Sequence, residues 1–133
     1  LLSVHYGLPI VPLAAPLKAM LETLGVPPAN LYGTPAQKAE PLAMLGGKSA
    51  REAMQTLGTE WGRQCVSESL WRDAWLSKAG TRAIADDIRF ADEAEMIRSR
   101  GGIVLRIVRE TAHVLTESHA SERFYEIDCD DVI

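Results

Sequence analysis

The stretch that most constrains the fold is Ala83-Ile84-Ala85-Asp86-Asp87-Ile88-Arg89-Phe90. Mostly apolar positions run into two carboxylates and an arginine. A helix-like segment follows at once, Asp92-Glu93-Ala94-Glu95-Met96-Ile97-Arg98. Then come Gly101-Gly102 and a second apolar run, Ile103 to Val108. Strand, helix and strand in this order predict a βαβ unit with a parallel sheet. In such sheets ligands bind beyond the carboxyl ends of the strands. The first strand would deliver Asp86, Asp87 and Arg89 to that edge. Acid and guanidinium side by side there suit phosphates and a metal.

Around this unit the chain alternates further candidate elements. Residues 8–14 read as a short strand weakened by Pro9 and Pro12. Residues 15–25 read as a helix with Pro16 in its first turn and Gly25 as its stop. Its apolar stripe is Leu17, Met20, Leu21 and Leu24. Residues 26–47 are rich in proline and glycine and read as a long connection with one short helical piece. Ser49-Ala50-Arg51-Glu52 is a capping box opening the next helix. That helix carries Ala50, Ala53, Met54, Leu57 and Trp61 at helical spacing. Gly58 and Gly62 fall on a second face with Arg51 and Gln55. Two glycines there predict close approach of something large, or a break with Thr59 capping a new start. Residues 69–79 form another helix, with Trp71, Ala74, Trp75 and Lys78 on one face. Residues 110–123 are a polar excursion, and 124–128 read as a closing strand.

Several functional classes drop out. With 133 residues and a net charge of −4, the chain is one domain with no bulk attraction for nucleic acid or acidic membranes. No apolar run approaches the roughly twenty residues of a membrane span, and no signal peptide is visible. Cys65 and Cys129 read as free thiols with a buried-filler role in a reducing cytoplasm. Gly46-Gly47-Lys48-Ser49 imitates the tail of a phosphate loop, but Leu42 stands where the first glycine belongs. His113 and His119, with Ser121 and Glu122, lack the spacing of a zinc site and the strained turn of a hydrolase. His5 is isolated.

Two constellations remain. Asp86-Asp87-x-Arg89 could hold Mg²⁺ and grip a phosphate, against the alternative of an ion pair with Asp92 and Glu93 decorating a helix start. Arg51, Gln55, Thr59 and Arg63 form a polar set that could meet an anion, against a solvated helix face.

Read together, these pieces resemble the phage-type deoxynucleoside monophosphate kinases, a branch of the P-loop kinases. The matching residues are Ala15-Pro16-Leu17-Lys18; the run from Arg51 to Arg63, Arg-x-x-x-Gln-x-x-Gly-Thr-x-x-Gly-Arg; Asp87-Ile88-Arg89-Phe90 with Glu93-Ala94; Gly101-Gly102; and His119-Ala120-Ser121-Glu122. The resemblance implies an α/β fold: a P-loop-kinase-like parallel sheet with flanking helices, incomplete at both ends. It implies one partial domain over 1–133, with 110–123 as a lid. It also implies transfer of the ATP γ-phosphoryl to a deoxynucleoside monophosphate, using Mg²⁺, in the host cytoplasm; a non-catalytic nucleotide-binding or structural α/β module is the alternative.

By that resemblance Lys18, Arg51, Gln55, Thr59, Trp61 and Arg63 would bind substrate, with Trp71 as a further wall. Asp87 and Arg89 would be catalytic, Asp87 lying near magnesium. His119, Ser121, Glu122 and Arg123 would belong to the lid. The expected partners are the monophosphate and ATP, not nucleic acid or membrane, with room for a homodimer. The family's glycine-rich loop belongs before the first strand and is missing here, so the chain as it stands is expected to be inactive, a trimmed or decayed form lacking that loop and a C-terminal helix.

Overall fold

A computed structural model describes residues 2–108 and 123–133. It divides into two compact units, 1–87 and 88–133.

The first unit is helical. Helices α1 (Leu2–Tyr6), α2 (Ala15–Thr23), α3 (Pro28–Tyr32), α4 (Pro35–Ala39), α5 (Ala50–Gln55) and α6 (Leu70–Ala79) are joined by short links. Between α5 and α6 the chain winds on, without a break, as a wide helix over Thr56–Val66. Its amides pair five residues back, as Ser67 N–H does with the Gly62 carbonyl at 2.9 Å.

Local chemistry explains the boundaries. α2 has Pro16 in its first turn and stops at Gly25, which takes φ +94°. The Val26 amide reaches back to the Leu21 carbonyl and the Gly25 amide to that of Glu22. This is the six-to-one and five-to-two pattern of a Schellman stop, and Leu21 and Val26, which flank it, are both buried. Ser49 and Glu52 make the expected capping box: Ser49 Oγ accepts from the Glu52 amide at 3.2 Å, and Glu52 Oε2 accepts from the Ser49 amide at 2.8 Å. The Ser49 amide and then the Ser49 hydroxyl, which also donates to Oε2 at 2.8 Å, hold the Glu52 carboxyl below its ordinary range. The imitation phosphate loop is therefore a turn leading into a cap. The 26–47 connection is more structured than its composition predicts: Thr34 and Gln37 form a second capping box, and prolines occupy the first turns of α3 and α4. Leu21, Val26, Leu31 and Ala50 make the core, with Leu42, Leu45, Ala53, Met54 and Leu57 packed around it. Met20 and Leu24 of the expected stripe are exposed.

The second unit contains α7 (Ala91–Ser99) and two short strands, β1 (Leu105–Arg106) and β2 (Asp131–Val132). The strands are parallel, pairing Leu105 with Asp131 and Arg106 with Val132. Ala94, Val104 and Ile127 form its core, with Ile88, Ile97 and Cys129 against it. Cys129 thus has the filler role; Cys65 is exposed.

The predicted fold class is overturned. The described residues are mostly helical with one two-stranded sheet, not a P-loop-kinase-like parallel sheet. Residues 83–90 do not form a strand: Ile84 alone pairs, with Ile10. The Val11 amide donates to Ile84 and the Ile84 amide to Pro9, and there the ladder stops. Pro9 lacks the N–H that would extend it backward; forward, the Val11 carbonyl is taken by Trp75 Nε1 at 2.7 Å and the Leu13 amide by Asp87 Oδ1. The closing strand expected at 124–128 is not there: residues 124–126 form a tight turn, and the final strand lies later, at Asp131–Val132.

Candidate functional site

The polar set lies on the continuous run of α5 and the wide helix. Arg51, Gln55, Thr59 and Arg63 are all half-buried. Arg51, Gln55 and Arg63 are each engaged in interactions within the protein. The opposite requirement, a glycine face, is met by Trp71 of α6. Its indole is buried against Gly62, and its Nε1 donates to the Gly58 carbonyl at 2.7 Å. Leu17 of α2 closes on Gly58 from the other side. The large group predicted to approach this backbone is thus a tryptophan of the same chain, and the helix does not break at Thr59. Trp61 remains 43% exposed, 6.3 Å from the Trp71 ring and tilted by 45°.

Lys18 sits in α2, one residue after Leu17, with its ammonium 4.8 Å above the Tyr32 ring. Its charge also acts on Asp87. Tyr32 and Trp75 carried no sequence signal for these roles. Only their partners, which are distant in sequence, reveal them.

Asp87 does something specific. Its Oδ1 accepts from the Leu13 amide at 2.7 Å and its Oδ2 from the Ala14 amide at 2.8 Å. Ala14 is the residue just before α2 and has no capping side chain of its own. Asp87 therefore caps α2 from 73 residues away in sequence. Burial pushes its carboxyl above the ordinary aspartate range, against the two amide donors and Lys18, which pull it down.

This arrangement bears on the expected magnesium. Mg²⁺ takes ionised oxygen ligands in near-octahedral geometry. Both Asp87 oxygens already accept amide hydrogens, and burial favours the neutral acid. Among the described residues no three His, Cys, Asp or Glu side chains gather as a metal site. With both oxygens engaged by amides and burial raising its pKa, Asp87 is ill suited to the magnesium role expected of it.

In the second unit, Arg89 is exposed and its amide donates to Glu93 Oε2 at 2.8 Å. Glu93 is buried and also accepts from the Phe90 amide, so it caps α7. Arg123 is exposed, its carbonyl accepting from the Glu126 amide. The lid candidates His119, Ser121 and Glu122, like His113, lie outside the described residues. No helix among the described residues is long and apolar enough to cross a membrane.

Chemically, two guanidiniums, an amide and a hydroxyl on one helical run can hold an oxyanion. Arginine's planar fork suits phosphate in particular. No protein-family model, no curated protein and no solved structure matches this chain.

Proposed function

We propose that the chain binds a deoxynucleoside monophosphate through the run from Arg51 to Arg63, as the acceptor side of a nucleotide kinase that draws its phosphoryl group from ATP. One observation carries the reading. The residues most specific to the resemblance occupy one unbroken helix, with its glycines spent on Trp71 and Leu17 and its polar residues half-buried rather than solvated. A solvated helix face would leave those side chains in water. Arg51 and Arg63 would meet the phosphate, Gln55 and Thr59 would hydrogen-bond the nucleotide, and the exposed Trp61 indole would offer a stacking surface to its base.

Calorimetry with the four common deoxynucleoside monophosphates tests this. Saturable binding is expected, weakened about tenfold or more by Arg51→Ala, as for a lost charged hydrogen bond. No binding by the folded protein at millimolar ligand refutes it. A second reading, a nucleotide-binding module without chemistry, is favoured by the capping role of Asp87, which occupies the carboxylate that transfer would need. An assay for ATP-dependent formation of the diphosphate separates the two: binding without turnover selects the second.

A further inference from the structure

The winding of 56–66 has a geometric consequence for the polar face. An α-helix turns about 100° per residue, so three four-residue steps from Arg51 to Arg63 would carry Arg63 about 120° away from Arg51. A wide helix pairing i with i+5 has roughly 4.4 residues per turn, or about 82° per residue. Its four-residue step falls short of a full turn by about as much as the α step overshoots it. One α step to Gln55 followed by two wide steps returns Arg63 to within about 25° of Arg51. All four polar residues then lie in a sector of about 65°, half the α spread.

Something must hold so long a wide segment, since such windings are rare and usually last a single turn. Trp71 is placed to do it. Its Nε1–H occupies a lone pair of the Gly58 carbonyl, which in an α-helix is the acceptor for the Gly62 amide. Its ring lies where a Gly62 Cβ would be, 2.5 Å from Cζ2 and Nε1. The indole is buried and α6 packs along the wide helix.

We infer that Trp71 is a positioning residue: it holds 56–66 in the wide winding and thereby keeps Thr59 and Arg63 on the Arg51 face, where they meet the phosphate of the bound nucleotide. The inference rests on the proposed function for its ligand but not for its geometry. The variant is Trp71→Phe, which deletes the N–H and keeps an aromatic ring over Gly62. Two readouts are needed. Couplings across hydrogen bonds, measured by NMR, identify the acceptor of each amide. The Ser67 amide should pair with Gly62 in the wild type and move to Arg63 in the variant. Affinity for each of the four deoxynucleoside monophosphates, with inorganic phosphate as a second probe, should fall about tenfold in the variant while Arg51 is untouched.

Unchanged pairing in Trp71→Phe overturns the inference, and so does shifted pairing with unchanged affinity. If Trp71→Phe does not fold, Gly62→Ala, which displaces the indole from the other side, is read by the same two measurements and the same criteria. A wild type that binds none of the probes removes the functional reading, and the inference falls with it. That outcome is distinguished by the wild type failing before any variant is compared.

Discussion

Gly62→Ala is the sharpest test of the packing, because helix propensity and sterics predict opposite signs. Propensity alone favours alanine by up to about 1 kcal/mol in a helix interior. The Cβ, however, would sit 2.5 Å from Trp71 Cζ2 and Nε1 and 2.6 Å from Cε2. Carbon contacts are comfortable at roughly 3.5–4.0 Å, so the indole must retreat by about 1 Å. It has little room to do so, being buried and tied to Gly58 by a 2.7 Å hydrogen bond. Overpacking costs about 1–3 kcal/mol, and losing the bond to Gly58 adds about 1 kcal/mol. Net of propensity, the variant should be about 2 kcal/mol less stable. With a urea slope of roughly 2 kcal/mol/M, the midpoint falls by about 1 M, followed by tryptophan fluorescence and far-ultraviolet dichroism. Gly58→Ala is the internal contrast. Its Cβ meets only the tip of Leu17 at 3.2 Å, so it should be neutral or gain up to about 1 kcal/mol. In a Trp71→Leu background the cost of Gly62→Ala should disappear, the signature of a direct coupling. A Gly62→Ala midpoint at or above the wild type refutes the wedge.

Asp87→Ala frees the Leu13 and Ala14 amides and should cost about 1–2 kcal/mol in urea unfolding. Because burial raises the folded pKa of Asp87 above its unfolded value of about 3.9, the wild type's advantage is fullest below that value. It shrinks as pH rises through the folded pKa; an advantage that grows with pH contradicts the burial argument. In the second unit, Asp130 Oδ2 accepts from the Val104 amide at 2.6 Å while Arg98 Nε pairs with Oδ1 at 3.1 Å. Together these bonds, the amide first, hold its pKa down, so the stability it confers is present above about pH 3.9 and is lost only as pH falls through the lower folded value. The Val104 amide resonance should titrate with a midpoint below about 3.9 and move upward in Arg98→Ala; a midpoint at the ordinary value would remove the pair. Ser49→Ala should destabilise the first unit by about 1 kcal/mol in thermal unfolding, and no change would take the cap out of the account.

What the sequence made legible was local. Proline and glycine positions marked both ends of α2, and Ser49 with Glu52 announced α5, because these signals act over three or four residues. The glycine pair at 58 and 62 left a bulky neighbour and a helix break as alternatives; the neighbour is Trp71, thirteen residues beyond Gly58. The expected strand at 83–90 failed for the complementary reason. The apolar runs at 83–90 and 103–108 both have the composition of strands, but a strand exists only where a partner offers matching donors, and only Leu105–Arg106 found one, in β2. At Ile84, Pro9 had no N–H to give, Asp87 claimed the Leu13 amide and Trp75 claimed the Val11 carbonyl. Asp87 was legible as an important carboxylate; its capping duty was not, since nothing local ties it to Ala14.

Three ties converge on residues 9–14: the Ile84 pairing, the Trp75 bond to Val11 and the Asp87 bonds to Leu13 and Ala14. Each spans more than sixty residues of chain. Closing such long loops is slow compared with winding a helix. On the ribosome, then, this early segment has to wait until residue 87 has emerged before it can settle. In refolding, protection of the Val11 and Leu13 amides against exchange should be acquired after that of the α5 amides.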